Sequence, residues 1–175
     1  MDADAGGLFF DTNVIVCAYD ATAPAKQKRA RAAIEVAMKA DRFVISTQVM
    51  QEFYNVAARR RLMSAQHAAQ LLRHFAEHTV VPGNAESVLR AFSLQQRHTL
   101  PVWDALIVQA ALDAGCAVLY SEDLQAGMRF EPEGRTGAVV TVVNPFEPPA
   151  VHEAEPAYRV KSKPMPKPKP RPTRA

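Results

Sequence analysis

The chain contains only two cysteines, Cys17 and Cys116, and neither belongs to a C-x-x-C pair. That excludes a disulfide-stapled scaffold or a cysteine-rich zinc module and predicts two reduced, buried thiols. No apolar stretch approaches the roughly 20 residues that a membrane span needs. The first residues, Met-Asp-Ala-Asp-Ala, are acidic and lack the basic and apolar regions of a signal peptide, so the cytoplasm is the expected compartment. Glycine is scarce, and Gly6-Gly7 precedes an apolar run without the pattern of a phosphate-cradling loop. No serine sits in a nucleophile elbow. His67, His74 and His78 have no Cys or acidic partner at a zinc-binding spacing, so they read as a solvated helix face.

At 175 residues the chain is long enough to bury a sizeable core as one domain. Its net charge of +3 sums two different regions. Residues 159–175 hold seven basic side chains and no acidic one, which leaves 14 basic against 18 acidic residues in the rest. The body is mildly acidic, and the tail makes the chain basic. Nine of the 13 prolines fall in residues 145–172, where Lys-Pro alternation blocks helix and central strand alike. The sequence therefore divides into a folded domain over 1–146 and an extended, disordered basic tail over 147–175. That tail is either a passive solubilising linker or a weak electrostatic grip on nucleic acid.

Within the domain, short apolar runs at 8–11, 43–46, 79–81, 117–120 and 139–143 alternate with helical patterns near 25–39, 48–60, 64–77, 84–97 and 103–114. Alternation of this kind predicts an α/β fold whose parallel sheet is covered on both faces. The helix near 64–77 should face inward through Ala68, Leu71, Leu72 and Phe75.

Four carboxylates stand where such a fold has its functional mouth. Asp11 follows the first apolar run and Asp123 the fourth, and open parallel sheets bind ligands beyond the carboxyl ends of their strands. Glu52 lies only about 60° and 40° around its helix from Val49 and Val56, so it borders the apolar stripe instead of opposing it. Asp104 falls in the first turn of its helix, where free N–H groups favour a negative charge. Each has an ordinary reading when taken singly: a turn, a helix cap or a solvated face. Gathered together, they would repel by roughly 4 kcal/mol per pair at 4 Å, and such a cluster makes sense around a hard cation.

The ordered series Phe9-Phe10-Asp11-Thr12-Asn13, Ser46 with Glu52, Trp103-Asp104-Ala105-Leu106-Ile107, Tyr120-Ser121-Glu122-Asp123-Leu124 and Val142-Val143-Asn144-Pro145-Phe146 resembles the PIN-domain family, most of all the VapC-type toxins of toxin–antitoxin pairs. The resemblance spans about residues 8–146. It implies a three-layer α/β/α fold with a five-stranded parallel sheet in the order 3-2-1-4-5, which sets Asp11 near Asp123. It further implies that Asp11, Glu52, Asp104 and Asp123 form a Mg²⁺ or Mn²⁺ site, with Thr12, Asn13 and Ser121 supporting the acids or positioning phosphate. A metal-dependent endoribonuclease follows, with RNA as substrate, a cognate antitoxin as inhibitor and a homodimer as the assembly. The Lys/Pro tail departs from the family's compact ending. Two other readings stand beside this one. A catalytically silent RNA-binding PIN domain would have lost its acids, whereas all four are present. A receiver-like signalling module usually wants a Lys after the last strand, where this chain has Asn144-Pro145.

Basic residues at 26–31, Arg59-Arg60-Arg61, Arg90 and Arg97 are candidates for holding a polyanion near the acids. The sequence does not choose among them.

Overall fold

The computed structural model describes residues 6–134 and 137–147. The tail expected over 147–175 lies, beyond Glu147, outside the described residues.

Twelve elements run in the order β1 (Leu8–Phe10), α1 (Thr12–Tyr19), α2 (Pro24–Lys39), β2 (Phe43–Ser46), α3 (Thr47–Arg59), α4 (Ala65–Phe75), β3 (Thr79–Val81), α5 (Ala85–His98), α6 (Val102–Asp113), β4 (Val118–Tyr120), β5 (Arg129–Phe130) and β6 (Val140–Val143). They form one six-stranded sheet in the order β3-β2-β1-β4-β6-β5. The expected five-strand order is therefore present, with β6 as its fifth member. All its pairings are parallel.

Two elements leave no clear mark in the sequence pattern. Strand β5 is a two-residue edge strand pairing antiparallel with β6, too short to carry a period-2 signal. Helix α1 buries Thr12, Val14, Ile15, Val16 and Ala18, so it shows no polar stripe, and its β-branched residues look like strand. Asp11 starts it by capping: its carboxylate accepts from Thr12 N at 2.6 Å, satisfying one of the orphan N–H groups of the first turn. The first strand thus stops at Phe10, one residue earlier than expected.

Strands β1 and β2 are buried at every position, as parallel strands covered on both faces must be. Phe9, Phe10, Phe43, Phe53, Phe75 and Phe130 are the largest fully buried side chains. Phe10 stacks on Tyr120 at 5.0 Å between ring centroids and tilts against Phe43 at 5.1 Å, locking the strand ends that lead into the candidate site. In α4, Ala68 and Phe75 are buried, and Leu71 and Leu72 pack partly against the core, as the periodicity requires. An added Cβ at Gly7 would stand 2.8 Å from Val44 Cγ2 and 3.0 Å from Cys116 Sγ, so the missing side chain leaves room for those two side chains at the foot of β1.

Candidate active site

In β1 and β4, Phe10 pairs with Tyr120, so the next residues, Asp11 and Ser121, leave adjacent parallel strands at the same level. Asp11 N donates to Tyr120 O at 3.0 Å and Ser121 N to Val143 O at 3.1 Å, which fixes three strand ends against one another. Ser46 ends β2 and caps α3, its hydroxyl accepting from Val49 N at 3.3 Å. That cap sets the helix direction and carries Glu52 over the sheet edge. Asp104 sits in the first turn of α6, just after Pro101 at the cap position.

All four acids line one cavity of about 490 Å³, together with Thr12, Asn13, Val16, Cys17, Asp20, Gln48, Val56, Arg60, Trp103 and Glu122. Four separate stretches of sequence thus meet at one mouth. They surround it without closing on a point: among the described residues, no three His, Cys, Asp or Glu side chains stand as a preformed metal cage.

Hydrogen bonds hold three of the acids, Asp11, Glu52 and Asp123, in place. Asn13 Nδ2 donates to Asp11 Oδ2 at 2.8 Å and to Asp123 Oδ2 at 3.0 Å, and lies 3.3 Å from Ser121 Oγ. The Ser121 hydroxyl donates to Asp11 Oδ2 at 2.8 Å, and Asn13 Oδ1 accepts from Glu122 N at 3.2 Å. Thr12 Oγ1 donates to Glu52 Oε2 at 2.7 Å. Gln48 Nε2 donates to Glu52 Oε1 at 2.9 Å and reaches Trp103 O at 3.5 Å. Thr12, Asn13 and Ser121 therefore touch the acids directly.

Burial pushes the Asp11 carboxyl up to about 6; hydrogen bonds from Ser121 and Thr12 oppose that rise, and the nearby charges of Asp123 and Glu52 add to it. The Asp104 carboxyl is also raised, by burial first and then by Asp123 and Glu52. The acids thus feel one another electrostatically. A hard divalent cation fits this donor set, because its ligands would all be oxygens and its charge would relieve the cost of ionising Asp11.

Four further residues belong to the site's surroundings. Gln48 supports Glu52 from one helical turn away, a spacing legible in sequence only once Glu52 is singled out. Arg60 is the member of the Arg59-Arg60-Arg61 run that lines the cavity; wheel position alone does not separate it from its neighbours. Lys26 pairs with Glu122 and stands 5.2 Å from the Phe146 ring. Glu122, in the loop after β4, is thereby turned toward a lysine of α2, which no local pattern announces.

Comparison with known families places a PIN domain over residues 8–126. Among solved structures, the chain is similar to Mycobacterium tuberculosis VapC20, described as a sarcin-ricin loop cleaving toxin. The two are 20% identical with a TM-score of 0.51, over 67% of this chain and 90% of that one. No curated protein matches. No described helix is long and apolar enough to cross a membrane. The matched span covers β1 to the turn beyond Asp123 and so includes all four acids: the chain belongs to the PIN-domain family.

Proposed function

We propose that this protein is a metal-dependent endoribonuclease and the toxin of a toxin–antitoxin pair. The observation that carries the reading is the meeting of Asp11, Glu52, Asp104 and Asp123 around one cavity in a PIN fold. Asp11, Asp104, Asp123 and Glu52 would hold one or two Mg²⁺ or Mn²⁺ ions. Such an ion, when bound, lowers the pKa of water and steadies charge on a phosphodiester.

The chain's own side chains do the positioning. Asn13 and Ser121 hold Asp11, and Asn13 also reaches Asp123. Thr12 and Gln48 fix both oxygens of Glu52, leaving it aimed at the cavity to bind metal or orient water. Arg60 supplies positive charge at the same mouth, where a polyanion has to settle beside several acids. The likeness to a toxin described as cleaving the sarcin-ricin loop supports RNA as substrate, in single-stranded or looped form. By the motif resemblance to VapC-type toxins, a protein antitoxin would be its inhibitor and a homodimer its working assembly.

Incubating the full chain with total RNA, with Mn²⁺ or Mg²⁺ and then with a chelator, tests the reading. Cleavage is expected with metal, to be lost on chelation and in Asp11→Asn. Cleavage that survives either change would overturn the site assignment, and no cleavage under any metal would overturn the enzymatic reading.

A further inference from the structure

Beside the acidic cavity lies a second cleft of about 360 Å³, lined by Gln48, Gln51, Glu52, Asn55 and Trp103. Gln48, Glu52 and Trp103 belong to both. Trp103 is the chain's only tryptophan, and 66% of its surface is exposed. It stands at the start of a helix whose next turns bury Ala105, Ile107, Val108 and Ala111, so the exposure is confined to the helix start, where Val102 is also exposed. Gln51 and Asn55 are exposed on α3, one helical turn apart and so on one face. Among the described residues, neither side-chain amide has a hydrogen-bond partner. The Gln48 bridge ties α3 to the α6 backbone at Trp103, which fixes this cleft's position relative to Glu52.

We infer that this cleft is a nucleobase subsite: Trp103 stacks on one unpaired base beside the cleaved phosphate, and Gln51 and Asn55 bond to its edge. The inference rests on the RNA-cleaving reading for the polymer's identity, and on the cleft itself for the contact. Every base offers a π-face to an aromatic platform. A carboxamide carries both donor and acceptor, matching the mixed edges that bases present. Bases in a duplex hide their faces, so the cleft selects a strand whose base can be splayed out. A protein partner would call for an apolar surround at Trp103, and this cleft surrounds it with amides and a carboxylate.

Because Trp103 is the sole tryptophan, its fluorescence reports the site directly. The full chain in chelator is titrated with a short oligoribonucleotide and with an abasic oligonucleotide carrying as many phosphates. Quenching is expected from the base-bearing strand only. Trp103→Ala should weaken that strand's binding by about 5- to 140-fold, the range for stacking of one base, and leave the abasic strand's binding unchanged. Trp103→Phe should recover most of the loss. Gln51→Ala and Asn55→Ala should alter the preference among homopolymeric strands.

Equal quenching by both strands, no quenching, or an unchanged affinity in Trp103→Ala would overturn the subsite. So would a change in oligomeric state on Trp103→Ala by sedimentation, which would make Trp103 a protein contact. A parallel cleavage assay in Mn²⁺ separates the two readings. Base-dependent quenching without cleavage keeps the subsite and overturns the nuclease; cleavage without base-dependent quenching does the reverse.

Discussion

The Thr12 hydroxyl donates to the Glu52 carboxylate at 2.7 Å across 40 residues of sequence, joining the start of α1 to the middle of α3. Thr12 is itself buried, so the hydroxyl has little water to turn to. Replacing it with Val keeps the shape and removes the donor. Thr12→Val should cost about 1 kcal/mol of stability and lower RNA cleavage about 10-fold or more, as loss of a group orienting a metal ligand does. Steady-state cleavage and a denaturant melt measure the two. Unchanged cleavage would mean that Glu52 needs no anchoring.

Asp11 makes the fold's stability depend on pH. Its folded value of about 6 stands above the ordinary 3.8, so folding favours its protonated form. The stability this supplies is complete below about 3.8 and is lost as pH rises through about 6. Asp11→Asn removes the penalty of the buried charge. Between pH 4 and 7 in chelator, stability should shift in the variant's favour by roughly 1–3 kcal/mol. Denaturant midpoints at several pH values check it, and a difference that stays flat with pH would rule out the buried charge as its source.

Cation binding should stabilise the folded state by mass action. Adding Mg²⁺ or Mn²⁺ at about 100 times its dissociation constant should raise stability by about 2.7 kcal/mol, seen as a higher melting temperature. Asp11→Asn and Asp104→Asn should blunt the rise. A rise equally large in both variants would place the cation elsewhere.

Arg90 lies away from the acidic cavity. One of its nitrogens donates to both Asp113 oxygens at 2.9 Å, and Ser87 and Gln109 also donate to Asp113. Asp113 ends α6, where the helix dipole disfavours negative charge, and its side chain is only 17% exposed. Arg90→Ala should therefore cost about 1–2 kcal/mol by leaving that carboxylate short of its cation. Cleavage below the melting temperature should be unchanged. A loss of cleavage with the fold intact would show that the α5–α6 contact reaches the site.

The strand–helix alternation, the five parallel strands and the four acids were legible because each rests on local signals: apolar runs, helical periodicity, Asp11 and Asp123 just past strands, Glu52 beside an apolar helix stripe and Asp104 in a first helical turn. Helix α1 was not, since burial on nearly all sides erases the polar stripe by which a helix is recognised. Strand β5 was too short to show a period, and it exists because β6 offers an edge to pair with.

The order of residues by itself determined the five parallel strands, the five longer helices and the acids placed along them, because those choices follow from the backbone and the nearest neighbours, whereas α1 and β5 needed the packed sheet around them. Only the packed sheet decided that Asn13 lies between Asp11 and Asp123, that Gln48 and Thr12 grip Glu52, that Arg60 and not its neighbours lines the cavity, and that Trp103 stays uncovered. Those relations depend on side chains from separate helices and strands arriving at the same few ångströms, and no spacing along one segment encodes where another will pack.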